Sequence, residues 1–289
     1  MNTPVVLIIF NRPLLTQIVF DEIKKIQPRQ LFVISDGPRN EKEKSVVEQT
    51  RKILEQINWK CEVFKKFSDN NLGCKVSVSS GLDWVFSQVE QAIILEDDCV
   101  PDPTFFKFCE DLLQKYKDNK RIMMVSGDNF FPWESKFSYD FCHHSLIWGW
   151  ATWRRAWKQY QAASNPSIDL FEKKYNDLVK LVSNRRLSAI KKTLEGKIDT
   201  WDYLWQYTML LNEGLCIYPS INLVKNIGFG GEATHTKYRT FHSSLSKKSI
   251  KFPLLHPIKI EANKSFDDLI SRTYHPVYSL LDVIFHFFR

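Results

Sequence analysis

The first 126 residues alternate between continuous apolar runs and amphipathic stretches, and this alternation restricts the chain to few folds. Residues 5–10 form an unbroken apolar run, as expected of a strand buried on both faces of a sheet. Residues 14–26 then place apolar side chains on one helical stripe. The pattern repeats, with strands predicted at residues 31–35, 61–67, 92–95 and 122–126. We therefore predict an α/β/α sandwich with a mostly parallel central sheet.

The pattern changes after Gly127. The sequence predicts an aromatic-rich loop region up to Trp157, a basic helical stretch over residues 168–194, and a further helix from TWDYLWQY. Seven of the nine tryptophans lie between Trp133 and Trp205. Because no low-complexity linker separates the two halves, we expect one continuous domain whose second half completes a site begun by the first.

The net charge of +7 is confined to two stretches of the chain. Lys and Arg less Asp and Glu give −2 for residues 1–150, +6 for 151–200, −2 for 201–224 and +5 for 225–289. A uniformly basic nucleic-acid binder is therefore not expected, and no nucleic-acid-binding motif accompanies the basic residues.

Cysteine spacing and hydropathy favour a cytoplasmic protein. The six cysteines lack CxxC spacing and no leader-like segment opens the chain, so we expect free thiols in a reducing compartment. No run reaches the roughly 18 apolar residues that a spanning helix requires. Residues 275–289 carry apolar side chains at helical spacing, which fits either a helix packed on the protein's own core or one lying in a membrane interface.

Three adjacent carboxylates, Glu96, Asp97 and Asp98, follow the predicted strand at residues 92–95. Like charges this close raise one another's pKa, so the triplet is costly unless a cation neutralises it. Oxygen ligands suit Mg²⁺ or Mn²⁺, and ligands of open α/β sheets bind beyond the carboxyl ends of the strands. The alternative is a solvated acidic turn, followed by a helix that Asp102 caps.

The segment AIILEDDCVPDPTFFKF resembles the donor and metal segment of nucleotide-sugar glycosyltransferases with the Rossmann-like GT-A fold. It is similar in particular to N-acetylglucosaminyltransferase I and to bacterial glycosyltransferases related to it. Further matching segments follow in the same order over residues 4–236: PVVLIIFNRP, SSGLDWVF, SLIWGWATW, TWDYLWQY and YPSINLVKNIGFGGEATHT. Each segment alone is weak, whereas the ordered set is fairly specific. The resemblance does not extend beyond residue 237.

The resemblance implies residues for the nucleotide. Arg12 and Asp36, each following a predicted strand, would hold it, with Asp36 at the uracil. Lys75 stands where the family carries a histidine near the nucleotide, and a cation there can meet a phosphate. Taken singly, Arg12 and Asp36 also suit ordinary turns.

The resemblance also implies a metal and its ligands. Asp98 would coordinate Mn²⁺ or Mg²⁺ directly, Asp97 would contact the ribose or metal-bound water, and Glu96 would contact the donor sugar. His235, in a glycine-rich segment, would be a second metal ligand, although a lone loop histidine also suits a hydrogen-bonded surface position.

Asp202 is the candidate base that would activate the acceptor hydroxyl. The family has two adjacent aspartates before its next tryptophan, whereas Tyr203 and Leu204 precede Trp205 here, so Asp199 is the alternative. Thr200 and Asp202 also fit the start of a helix. Trp148 and Trp150 are assigned to a wall of the sugar or acceptor site, although tryptophans more often pack in cores.

Together these features predict a metal-dependent enzyme that moves a sugar from a UDP-sugar to a hydroxyl of a glycan or other acceptor, with inversion. Residues 1–126 would form the nucleotide-sugar and metal half, residues 127–237 the acceptor and catalytic half, and residues 238–289 a basic extension that packs on the domain or contacts a membrane. The basic stretches suit an anionic or lipid-linked acceptor at the inner membrane face.

Two other classes remain open. A nucleotidyltransferase that forms sugar nucleotides would share the fold but needs a glycine-rich loop, which Asn11-Arg12-Pro13 lacks. A non-catalytic sugar- or membrane-binding protein would bind no nucleotide.

Overall fold

The computed structural model describes residues 1–131, 135–163, 168–229 and 245–273. The strands are β1 (Val5–Ile9), β2 (Gln30–Ser35), β3 (Glu62–Phe67), β4 (Gln91–Glu96), β5 (Cys99–Pro101), β6 (Ile122–Ser126), β7 (Tyr139–Cys142), β8 (Trp150–Trp153), β9 (Leu215–Pro219) and β10 (Val224–Asn226). The helices are α1 (Pro13–Ile26), α2 (Glu41–Lys52), α3 (Cys74–Gln88), α4 (Pro103–Lys115), α5 (Arg154–Ala163), α6 (Ile168–Leu178), α7 (Asn184–Leu194), α8 (Asp202–Leu211) and α9 (Lys264–Thr273), with a 3₁₀ turn at Ile53–Gln56.

Eight strands form one sheet in the order β3-β2-β1-β4-β8-β6-β9-β7. The pairs β1–β2, β1–β4, β2–β3 and β6–β9 are parallel, whereas β8 is antiparallel to both its neighbours and β7 is antiparallel to β9. Six strands therefore run in one direction. β5 and β10 form a separate antiparallel pair beside the sheet. The predicted α/β sandwich with a mostly parallel central sheet is confirmed.

Burial explains why the first strands read as continuous apolar runs. Val5, Val6 and Leu7 of β1 are fully buried because helices cover both faces of the sheet. One core includes Phe20 of α1 and Leu112 of α4, while a second core lies on the opposite face. That second core includes side chains of α3, α5 and α8, such as Leu82, Trp157 and Trp205.

The predicted loop between Gly127 and Trp157 is wrong at residues 139–142 and 150–157, where β7, β8 and the start of α5 lie. β8 lies between β4 and β6 and pairs with both, with Ala151 opposite Ile93 on one side and Val125 on the other. A strand of four residues is too short to show a periodic pattern, and only its distant neighbours stabilise it.

Residues 245–273 pack on the domain. The Ser249 hydroxyl donates to Asp102 at 2.9 Å, and Phe266 of α9 stacks on Tyr218 of β9 with ring centroids 3.7 Å apart. The Asp267 carboxylate accepts hydrogen bonds from the backbone and the ring of His143 at 2.9 Å and 2.7 Å. The apolar end predicted at residues 275–289 lies outside the described residues.

Two further features concern the helices and the cysteines. Within the described ranges, no helix is both long and apolar enough to span a bilayer. All six cysteines are free thiols.

Candidate functional site

The carboxyl ends of the parallel strands collect five of the predicted site residues at one edge of the sheet. Arg12 follows β1, Asp36 follows β2, and Glu96 ends β4 with Asp97 and Asp98 directly behind it. Asp128 follows β6 at the same edge. The parallel direction of these strands brings the side chains together although they are far apart in the sequence.

Arg12 binds the acidic triplet. Its guanidinium donates two hydrogen bonds to Asp97, one of them from Nε to Oδ2 at 3.1 Å, and Nη1 donates to Asp98 Oδ2 at 2.9 Å. The side chains of Asp97 and Asp98 are only 3% and 11% exposed, and that of Arg12 is 16% exposed. A buried carboxylate needs a partner, and Arg12 provides it within the protein.

Charge crowding shifts the pKa values of the triplet. Burial raises the pKa of Glu96, and the charges of Asp98 and Asp97 raise it further against the opposing effect of Arg12. Burial also raises the pKa of Asp97, although Arg12 acts against this. Burial by itself would lower the pKa of Arg12, but the two aspartates outweigh it and hold the guanidinium charged.

Asp98 lies beneath the loop that follows β10. The amide of Ile227 donates to the Asp98 carbonyl at 2.9 Å. A Cβ atom on Gly228 would collide with Asp98 Oδ2, so only glycine lets the backbone lie this close to the carboxylate. Among the described residues, the other oxygen, Oδ1, accepts one hydrogen bond, from the Cys99 thiol at 3.4 Å.

The donor set fits a metal only if a bound diphosphate shares it. In the part of the chain that the structure describes, no group of three or more His, Cys, Asp or Glu side chains is arranged to hold a metal. Asp98 Oδ1 retains acceptor capacity, and Mg²⁺-type ions are commonly held by one or two carboxylates together with substrate phosphates. His235, the predicted second ligand, lies outside the described residues.

Asp36 anchors the loop between β3 and α3. Its Oδ1 accepts from the amides of Gly37 and Leu72 at 2.8 Å and 2.9 Å. Its Oδ2 accepts from the Asn71 side chain at 2.9 Å and the Gly73 amide at 3.1 Å. Four donors therefore surround this buried carboxylate, which holds the loop against the end of β2. Its predicted contact with uracil stays a prediction.

Cys74, the first residue of α3, lies within electrostatic range of several carboxylates. Burial raises the pKa of the Cys74 thiol, and the charges of Glu96, Asp202, Asp199 and Asp36 raise it further. These groups therefore lie close enough to Cys74 to interact with it electrostatically. Lys75 follows directly and is half-buried. The first turn of α3 thus stands between the triplet and the segment before α8.

Asp199 approaches α3 at Gly73. Gly73 has a φ of +80°, and a Cβ atom there would lie 2.7 Å from Asp199 Oδ2. The exposed Asp199 carboxylate is therefore seated against the backbone that begins α3. A helix N-terminus favours a negative charge in this position.

Asp202 is the first residue of α8 and is half-buried. The Thr200 hydroxyl donates to its Oδ1, which leaves Oδ2 for another donor. Asp202 begins the helix as predicted, although the residue at the cap position is Trp201 and not Thr200. The charge of Asp202 helps to raise the pKa of Glu96. Its role as a base stays a prediction.

Trp148 lies beside this group of residues. Its half-buried ring meets Phe130 and Phe229 edge-to-face, with centroids 5.0 Å and 5.6 Å apart. Its amide donates to Asp128 Oδ2 at 2.9 Å. Since Phe229 follows Gly228, which touches Asp98, the indole stands near the acidic triplet.

Trp150 has a different environment from the one expected. It is 1% exposed and stacks on Trp201 with centroids 5.5 Å apart, inside a cluster with Trp157 and Trp205. Its assignment to a wall of the site is corrected to core packing, because β8 lies in the middle of the sheet and its side chains are buried on both faces.

Several residues of the site carried no recognisable signal in the sequence. Cys74, Gly228 and Asp128 reach it through contacts between distant segments.

One solved structure supports the fold. The crystal structure of S. aureus TarS 1–349 in complex with UDP-GlcNAc matches 83% of this chain with a TM-score of 0.51 at 12% identity. The chain spans 62% of the length of that structure. UDP-glucose pyrophosphorylase complexed with UDP-glucose matches 76% of this chain and 91% of its own at 7% identity, with a TM-score of 0.41.

No family model and no curated protein matches the sequence. At 12% identity, the likeness to TarS shows the Rossmann-like GT-A fold.

Proposed function

We propose that this protein is a glycosyltransferase that moves a sugar from a UDP-sugar to a hydroxyl of a glycan or other acceptor, with inversion at the anomeric carbon. One observation carries the proposal: Glu96, which ends β4 directly before Asp97 and Asp98, lies within electrostatic range of a separate carboxylate, Asp202, at the start of α8. Carboxylates from two separate segments suit a transfer reaction, because one group can bind the donor while the other accepts the proton of the acceptor hydroxyl.

The donor side belongs to residues 1–126. Asp36, Arg12 and Lys75 all stand at the carboxyl edge of the sheet, where α/β folds bind nucleotides. The similarity of the fold to a TarS structure solved with UDP-GlcNAc supports a UDP-sugar as the donor. Glu96 would accept hydrogen bonds from the sugar hydroxyls, and Asp97 would contact the ribose.

Asp98 would hold a divalent metal, Mn²⁺ or Mg²⁺, through Oδ1, with His235 as a second ligand. When bound, such an ion would supply positive charge to the diphosphate that leaves with the electron pair of the sugar bond. Arg12, whose pKa is raised by Asp97 and Asp98, contributes a permanent positive charge beside the same carboxylate.

Asp202 would act as the base. As the acceptor oxygen forms its bond to the anomeric carbon, the bond from that carbon to the diphosphate breaks and UDP leaves. The hydroxyl proton passes to Asp202 Oδ2. The hydrogen bond from Thr200 to Oδ1 keeps the carboxylate in one orientation. Asp199, which faces Gly73, is the alternative base.

The acceptor side belongs to residues 127–237. Trp148 offers a flat, half-buried ring next to Phe229, and such surfaces suit the C–H faces of sugars. Helices α6 and α7 come from the stretch with the largest basic excess. Helix α6 packs on α7, and α7 packs on α8, the helix that begins with Asp202. An anionic or lipid-linked acceptor would fit this side, with the C-terminal extension adding contact to an anionic membrane surface.

The experiment that tests the proposal combines binding and turnover. Calorimetry with UDP-GlcNAc and Mn²⁺ should show binding at one site, and UDP release should follow when acceptors are added. Asp202→Asn should keep donor affinity within about twofold while UDP release falls by about 10²–10⁴-fold, the usual contribution of a positioned base. Asp268→Asn, which changes an exposed carboxylate on α9, is the matched control and should leave both unchanged.

Three results would contradict the proposal. Full turnover in Asp202→Asn together with loss in Asp199→Asn would move the base to Asp199. Formation of a UDP-sugar from UTP and a sugar phosphate would assign a nucleotidyltransferase. Absence of any nucleotide binding with Mn²⁺ present would leave a non-catalytic binding protein.

A further inference from the structure

The segment at residues 255–260 lies along β7, the last strand of the eight-stranded sheet. The Leu255 amide donates to the Ser138 hydroxyl at 2.8 Å, and the Leu255 carbonyl accepts from the Ser138 amide at the same distance. At the other end, Arg121 Nη1 donates to the Ile260 carbonyl at 3.4 Å. The backbone of the segment is therefore fixed to the folded domain at both ends.

Two large apolar side chains of this segment face solvent. Leu255 is 60% exposed and Ile258 is 90% exposed. No other large apolar side chain in the described ranges is as exposed as Ile258. Turning these side chains inward would break the hydrogen bonds that fix the backbone. Apolar side chains held in water in this way indicate a surface that binds another apolar phase or molecule.

Basic side chains surround this apolar surface. Residues 115–121, which connect α4 to β6, carry four cationic side chains and one acid, and residues 251–261 add two lysines and one glutamate. An open groove of about 650 Å³ beside Ile258 is lined by two exposed lysines, Lys115 and Lys120, and by one acidic side chain. The two stretches together, which we call the β7 flank, have an excess of four positive charges.

We propose that the β7 flank binds the surface of an anionic lipid bilayer. Leu255 and Ile258 enter the boundary between headgroups and acyl chains, and Lys115 and Lys120 contact the negatively charged headgroups. A bilayer complements both parts of this surface. Apolar side chains gain from leaving water at the acyl boundary, and each basic side chain near an anionic leaflet adds to the affinity.

The inference deepens the proposed function and rests on it for its consequence at the site. Strand β7 ends the sheet on the side that residues 127–237 largely supply, while β3 ends it on the side of residues 1–126. Binding through the β7 flank therefore turns the acceptor half of the domain toward the lipid. A lipid-linked acceptor would then meet the half that carries Asp202.

Flotation of the full chain with lipid vesicles tests the inference without turnover. At low salt, wild type should bind vesicles made of equal parts phosphatidylcholine and phosphatidylglycerol at least about tenfold more tightly than pure phosphatidylcholine vesicles. Ile258→Asp should weaken binding to the anionic vesicles about tenfold or more, because it removes an apolar contact and adds a negative charge. Lys115→Gln with Lys120→Gln should weaken it roughly fivefold for each lysine.

Matched variants outside the β7 flank serve as controls. Leu14→Asp changes an apolar side chain of α1 that is also highly exposed, and Lys42→Gln with Lys44→Gln removes two exposed lysines of α2. Both should bind anionic vesicles as wild type does. Urea unfolding of all these variants should match wild type, because each changed side chain is exposed, so a loss of vesicle binding would not reflect unfolding.

The outcomes separate this inference from the proposed function. Wild type that binds no anionic vesicles, binds neutral vesicles equally well, or keeps its affinity in the β7 flank variants would overturn the inference. A wild-type dimer that Ile258→Asp dissociates in analytical ultracentrifugation would assign the β7 flank to a second copy of the chain instead. UDP release with a water-soluble acceptor should be the same in wild type and the β7 flank variants, so either proposal can fail while the other stands.

Discussion

At the edge of the sheet, the pKa of an acidic side chain depends on its burial and on its hydrogen-bond partners more than on its residue type. Asp97 and Asp98 are adjacent to Glu96, yet Arg12 bonds to both aspartates and leaves Glu96 without a hydrogen bond from its guanidinium. Asp128 is an aspartate of another kind, since it is fully buried and its Oδ1 has no hydrogen-bond partner in the described structure. Burial raises the pKa of Asp128 well above its usual range, and the Trp148 amide offsets this only in part.

The pKa of Asp128 predicts a pH dependence of stability. An acid whose native pKa is raised binds its proton more tightly in the native state, so stability falls as pH rises above about 4, the unfolded value. The loss continues at roughly 1.4 kcal/mol per pH unit until the native pKa is reached. Asp128→Asn cannot ionise, so urea unfolding should show it more stable than wild type at pH 8 and similar at pH 4.

The exposed Asp268 supplies the control for this experiment. Asp268→Asn should give unfolding curves that parallel those of wild type at every pH. A wild-type advantage over Asp128→Asn that persists at pH 8 would show that Asp128 is ionised in the native protein.

Helix starts and short strands decide which residues meet at the site. Gly73 directly precedes helix α3 in a conformation that L-residues avoid, and the Asp36 carboxylate accepts a hydrogen bond from its amide. The turn brings Cys74 and Lys75 to the carboxyl edge, and it leaves a space that Asp199 occupies. The entry to α3 therefore links the donor half of the chain to the segment that precedes Asp202.

Gly73→Ala should cost more stability than a comparable glycine replacement. Gly73 has a φ of +80° and Gly196 a φ of +71°, but only Gly73 has Asp199 within contact distance of the added methyl group. Each substitution should cost about 1–3 kcal/mol for the backbone conformation. Gly73→Ala should lose additional stability in urea unfolding, since Asp199 must move. Equal losses would mean that Asp199 does not press on this turn.

The segment 245–273 contacts elements from the beginning of the chain as well as from its middle. The C-terminal segment follows α4 and then places α9 against the edge of the sheet, where Phe266 is fully buried. The basic segment 245–273 is thus part of the folded domain, with the Lys247 ammonium bound to Glu22 of α1 at 2.7 Å. A segment that the charge pattern alone left open therefore contributes to the core.

Phe266→Ala tests whether α9 is integral to the domain. Loss of a buried phenylalanine that stacks on Tyr218 should lower the free energy of unfolding by about 3–5 kcal/mol. Leu255→Ala, at a side chain that is 60% exposed, is the matched control and should cost less than about 0.5 kcal/mol. Similar small losses for both variants would show that α9 docks only weakly.

Local patterns determined much of this protein. The predicted strand at residues 122–126 coincides with β6, and the predicted strand at residues 5–10 ends one position beyond β1. The apolar runs require burial on both faces, so they also determined that Arg12, Asp36 and the triplet gather at one edge. These features depend on neighbours within a few positions, which a sequence displays directly.

Only the tertiary structure decided the contacts that give the site its chemistry. The insertion of β8 between β4 and β6 buries Trp150, and Arg12 reaches Asp97 and Asp98 across 85 and 86 positions. Asp199 approaches Gly73, and Gly228 approaches Asp98, across still longer stretches of sequence. No local periodicity encodes such pairs, because each depends on how whole elements pack and on which charges must be neutralised once water is excluded.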